Sequence, residues 1–162
     1  MMGAALPAAL LSTALAFALC FAPRRAFLPA LALFAAAAVI VAMLPIPERF
    51  AARALAGCWI STGATAATVH LSGRWAVERT LALGLAVNAG VWVGVVIAVA
   101  GTPADLARAL PAALLVLPAR WLTAHRAGIA VKVAASWLVA IAILAGALPI
   151  VPTPGYAQDH FE

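Results

Sequence analysis

Acidic side chains are nearly missing from this sequence. It holds five Asp and Glu in 162 residues against ten Lys and Arg, and charged residues make up only 9% of the chain. A soluble domain is about a quarter charged, so a water-soluble globular fold is excluded. The acids (Glu48, Glu78, Asp105, Asp159 and Glu162) all lie outside the long apolar runs. Proton relays and ion-coupled carriers commonly rely on acids within the bilayer, and their absence counts against that class. Cysteine is scarce too. Cys20 and Cys58 stand near the ends of apolar runs, at no spacing that makes a metal site or a disulfide framework. They read as small helix-packing residues.

Catalytic signatures are also lacking. There is no HExxH, no nucleophile elbow, no phosphate loop and no spaced Cys/His set. The sequence therefore predicts no catalytic residue, no cofactor and no metal ligand. A membrane enzyme would have only His70, Asn88 and the loop residues to supply an acid–base pair.

What remains is apolar: 67% of the residues are hydrophobic. Much of that content is alanine and leucine, both good helix formers. Beta-branched residues do not alternate with polar ones, which argues against a transmembrane barrel. The predicted fold is all-α, a polytopic transmembrane bundle of about six spans arranged as three hairpins. A span needs roughly 20 apolar residues. The runs lie at 3–22, 26–44, 55–72, 80–100, 106–122 and 129–148, the third being the least hydrophobic. Pro23, Pro45, Pro47, Pro103 and Pro149 punctuate their ends, where a residue that cannot continue a helix belongs. The bundle thus covers residues 1–148, and 149–162 form a short polar tail. No Lys or Arg precedes Arg24, so the first run lacks the basic start of a signal peptide and reads as a retained helix.

The ten basic residues mark the threading. The first, third and fifth loops, with the start of the sixth helix, hold Arg24, Arg25, Arg74, Arg79, Arg120, Arg126 and Lys132. The second and fourth hold Arg49, Arg53 and Arg108. The positive-inside rule then places the odd loops in the cytoplasm and both termini outside. Aromatic residues are not interleaved with a basic stripe, so nucleic acid is not an expected partner. A repeat is also suggested. ALPAALL occurs at 5–11 and again at 109–115, and Leu44-Pro45-Ile46 recurs as Leu148-Pro149-Ile150, although chance matches are common in a chain rich in Ala and Leu.

Two helix faces stand out. Cys58, Ser61, Thr65, Thr68 and Ser72 follow steps of three and four along the third run and share one face. This face is either a polar stripe lining a solute path or a packing seam whose hydroxyls bond their own backbone. Asn88 falls near the middle of the fourth run, where an unpaired amide is costly. It predicts either a bond to the third helix or a substrate contact. On the fourth run Ala86, Gly90, Gly94 and Ala98 form a small-residue row that permits close helix packing.

The other candidates are weaker. His70, near the third helix's inner end, is a packing residue or a switch. Arg120, His125, Arg126 and Lys132 form a basic group that sets topology or meets anionic headgroups. Asp159, His160 and Glu162 are ligand types on a chain end without a rigid frame. The expected partners are the lipid bilayer and other membrane subunits or further copies of the chain. The expected role, reached by elimination, is an accessory or scaffold subunit of a bacterial inner-membrane complex of secretion, conjugation or respiratory type. The alternative is a small-solute channel or uncoupled transporter lined by the third helix.

Overall fold

The structure is a computed structural model that describes residues 4–71 and 77–148. The described residues form helices and no strand: α1 Ala5–Cys20, α2 Arg24–Ala42, α3 Ala51–Ala67, α4 Arg79–Ala100, α5 Pro103–Ala109, α6 Val116–Ala124 and α7 Gly128–Ala147. Short 3-10 turns at Glu48–Phe50 and Thr68–His70 bracket α3, and a longer one at Leu110–Leu115 joins α5 to α6. Four helical segments are long and apolar enough to cross a membrane: α2, α4, the run Pro103–Ala124, and α7. The protein is therefore an all-helical membrane protein. The tail at 149–162, with its acids and His160, and Ser72 and Arg74 lie outside the described residues.

Of the other two, α1 has 16 residues and α3 has 17. At 1.5 Å per residue each reaches about 25 Å, short of a hydrocarbon core of about 30 Å. The two helices differ in how they are buried. α1 contains no charged residue and is apolar all round, the pattern of a helix enclosed by others. Ten of its residues are buried, including Leu11, Leu15 and Leu19. It packs on α3, α4, α6 and the 110–115 turn, and so forms the axis of the bundle.

Three hairpins in a row would pair each helix with its sequence neighbour. The most extensive contact instead joins α2 to α4. The reason is the small-residue row. A Cβ placed at Gly90 would stand 2.5 Å from the Phe34 carbonyl oxygen, and one at Gly94 2.7 Å from that of Ala38. With no side chain at either position the two backbones touch, in parallel and over more than a turn. Ala86 is fully buried in the same row and Ala98 is half-buried. More than half of the buried apolar residues are alanines, whereas Leu28, Ile40, Ile60, Ile129 and Ile143 are largely exposed. Small residues inside and large ones outside is the arrangement expected where lipid is the solvent and close approach holds helices together.

Several boundaries depend on local chemistry. α3 begins at Ala51 rather than 55, because the chain turns directly into a 3-10 helix after the extended Pro47. Arg53 is therefore helical and exposed. α5 begins at Pro103 rather than 106, started by Thr102. The Thr102 backbone N–H and hydroxyl both donate to the Asp105 carboxylate at 3.0 Å, and Pro103 takes the first helical position, where its missing N–H costs nothing.

The two ALPAALL segments differ in conformation. In α1, Pro7 lies in the first turn and the segment is α-helical. Pro111 falls well inside a helical run, where it removes an i→i−4 bond, and the second copy tightens to 3-10. At the end of α6 the Ala127 N–H donates to the Leu122 carbonyl at 2.9 Å and the Arg126 N–H to that of Thr123 at 3.3 Å. These bonds form a Schellman cap. Its left-handed position is held by Arg126, with φ 62°, where glycine is the usual residue.

Candidate functional site

α3 carries the polar residues, and two helices decide what each one meets. Cys58, Ser61, Thr62 and Thr65 are all buried. The Cys58 thiol donates to the Pro7 carbonyl of α1 at 3.6 Å, and the Thr62 hydroxyl to the Cys58 carbonyl at 2.8 Å. Thr68, half-buried, donates to the Thr65 carbonyl at 2.6 Å. Hydroxyls bonded to their own helix need no water, and α1 closes over this side of the stripe. Thr65 is the exception. Its hydroxyl is fully buried and has no partner among the described residues. Thr62, and Ser12 on α1, which donates to Ala8 at 2.8 Å, belong to the same interior. Their spacing from Cys58 and from the α1 leucines was the available signal, since a hydroxyl one turn from a buried residue shares its face.

Ser61 lies at the edge of the stripe, where the structure brings it together with Asn88. The Asn88 amide nitrogen donates to the Ser61 hydroxyl, while the side chain itself remains exposed. An amide offers two donors and two acceptor positions, and among the described residues most of that capacity is unused. Asn88 stands near the middle of α4, so this polarity lies at mid-depth. It opens into a groove of about 500 Å³ between α3 and α4, lined among others by Arg53, Gly57, Ser61, Asn88 and Trp92. The Trp92 indole packs on Gly57 and leaves no room there for a side chain.

A second groove, of about 580 Å³, runs along the other side of α3 against α7 and is lined by Gly63, Val139, Ala142 and Gly146, among others. The two grooves share Ala56, Ile60 and Ala64. α3 thus presents one narrow ridge with a groove on each flank.

The remaining candidates do not join this site. His70 is exposed, and its Nε2 lies 3.2 Å from the Ser136 hydroxyl oxygen on α7. The same hydroxyl lies 3.0 Å from the Lys132 carbonyl, within hydrogen-bonding reach of its own helix. The basic group separates into individuals. Arg120 lies over the Phe27 ring of α2, His125 stacks on Trp121 with ring centroids 4.5 Å apart, and Lys132 and Arg126 are exposed. Cys20 and Cys58 are free, buried thiols. No cluster of His, Cys, Asp or Glu able to hold a metal occurs among the described residues.

Fold and site together define the class: a helical membrane protein in which most hydroxyls of α3 are buried, and in which that short helix is flanked by two grooves, one of them holding the exposed Asn88 amide. Compared with protein-family models, curated proteins and solved structures, the chain matches none.

Proposed function

We propose that the chain is an accessory or scaffold subunit of a bacterial inner-membrane assembly, of secretion, conjugation or respiratory type, and that the α3 face receives a transmembrane helix of another subunit. One observation carries the reading: Asn88 exposes an amide at mid-membrane depth, beside the small-residue ridge of α3. Lipid tails offer such an amide nothing, whereas a polar side chain on an adjacent helix satisfies it. The same reading takes six crossings, with α1 and α3 as short spans inside the ring of longer ones. The basic loops lie in the cytoplasm and both ends of the chain outside. The tightly closed interior supports a structural role. A small-solute path would need the α3 stripe to be wet, whereas Cys58, Thr62 and Thr65 are enclosed by α1.

The test is purification at native expression in mild detergent. The expected result is a stoichiometric membrane partner that crosslinks to a photoreactive residue at Ala64 but not at Leu28. A clean monomer from native membranes would sink the reading.

A further inference from the structure

Among the described residues, Arg120 is the one basic side chain of the Arg-rich end that is partly withdrawn into the protein. It sits on α6, which packs against α1, and its guanidinium carbon stands 5.6 Å from the centre of the Phe27 ring on α2. Its Nη1 is buried and has no hydrogen-bond partner among the described residues. The ion pair seen among those residues is Arg108–Asp105, at the opposite end of the bundle. Arg120 Nη1 has therefore lost water without gaining an acceptor or a counter-charge among the described residues. A cation in that state favours an anion at its open edge. The Phe27 ring lies against one side of the guanidinium, so its remaining N–H groups reach elsewhere.

The position narrows the anion. Phe27 is one turn inside the start of α2, and Arg120 is one turn inside the end of α6. They lie roughly 5–6 Å within the helix ends, a depth that suits the boundary between headgroups and acyl chains. Arg24 occupies the first position of α2, three residues before Phe27 and exposed, so it shares that face one turn further out. One turn deeper come Leu31 and Leu117, both apolar. Two guanidinium groups above an apolar surface suit a phosphate ester that continues into a hydrocarbon chain.

We propose that Arg120, with Arg24, binds a phosphate group at this end of the bundle, carried by an anionic membrane lipid. The test uses the full chain in dodecylmaltoside, with lipid binding followed by native mass spectrometry. Phosphatidylglycerol is expected to bind about tenfold tighter than phosphatidylcholine, and Arg120→Gln to abolish that preference. Arg24→Gln, at an exposed position that leaves the fold intact, is expected to weaken phosphatidylglycerol severalfold. Arg108→Gln, which removes the same charge at the opposite end, is expected to leave binding within twofold. If millimolar inorganic phosphate displaces the lipid and binds as tightly on its own, the site stands and its ligand is a free phosphate. Equal binding of the two lipids, or equal effects of Arg24→Gln and Arg108→Gln, would overturn the proposal.

Discussion

Three glycines on α4 give a controlled test of how the bundle holds together. At Gly90 an added Cβ would lie 2.5 Å from the Phe34 carbonyl oxygen and 2.8 Å from the Ala37 Cβ. At Gly94 it would lie 2.7 Å from both the Ala38 oxygen and the Val41 Cβ. At Gly84 it would meet nothing within 4 Å. Replacement by alanine removes the same backbone freedom at all three, worth up to about 1 kcal/mol in favour of the helix. At Gly90 and Gly94 the new carbon also enters a space already filled by backbone, which has no rotamer to turn away. A normal carbon–oxygen approach is about 3.4 Å, so α2 must retreat by nearly an ångström. Overpacking of this kind costs about 1–3 kcal/mol.

Gly84→Ala is therefore expected to stabilise the bundle by about 0.5–1 kcal/mol, and Gly90→Ala and Gly94→Ala to destabilise it by about 1 kcal/mol after the propensity gain is subtracted. Because a single outward shift of α2 relieves both clashes, the double variant should cost less than the sum of the two. Unfolding by sodium dodecyl sulfate in mixed micelles, followed by tryptophan fluorescence, measures the differences. The buried thiols of Cys20 and Cys58 give a second signal, through a maleimide dye that reacts as they become exposed. If Gly90→Ala and Gly94→Ala unfold at the same midpoint as Gly84→Ala, the backbone contact between α2 and α4 is not what holds them.

Four other substitutions probe three separate features. Asn88→Leu and Ser61→Ala each break one interhelical hydrogen bond and should cost about 0.6–1 kcal/mol. The double variant should cost no more than the larger of the two, and full additivity in the same unfolding assay would refute the pairing. Thr65→Val replaces a buried hydroxyl that lacks a partner with a methyl group of the same shape, and should raise stability by about 1 kcal/mol. A lower unfolding midpoint would mean that the hydroxyl is satisfied. Arg126→Gly relieves a left-handed residue and should stabilise the α6–α7 turn by about 1 kcal/mol. An unchanged or lower thermal midpoint would show that the arginine bears no strain there.

The long helices were legible because their signal is local. α4 and α7 are long runs with only isolated polar positions, and their ends fall within a residue or so of the expected ones. Which helix lies in the middle was not legible. α1 is apolar on every side, as is a helix facing lipid, and only tertiary packing distinguishes them. The Ala86–Ala98 row was visible by spacing, but nothing in it named α2 as its partner, since any helix can enter a glycine groove. The identical ALPAALL segments carried the same sequence signal to two conformations. What separates them is the length of helix already formed before the proline. The basic residues from Arg120 to Lys132 look like one group along the chain. A helix end and a turn intervene, so each reaches a different neighbour.

The distribution of size within the bundle bears on how such a protein acts. An interior built largely from alanine, glycine and self-bonded hydroxyls gains its stability from close approach. Two groups that are not lipid-like stand at outer faces among the described residues: the amide of Asn88 midway along α4 and the half-buried guanidinium of Arg120 near the end of α6. Each is costly when left facing hydrocarbon alone, and neither is needed to close the core. A helix surface that retains such groups is adapted to meet something other than acyl chains. In the proposed placement, a position midway along α4 suits Asn88 to another helix rather than a headgroup. For Arg120, near a helix end, the reverse holds.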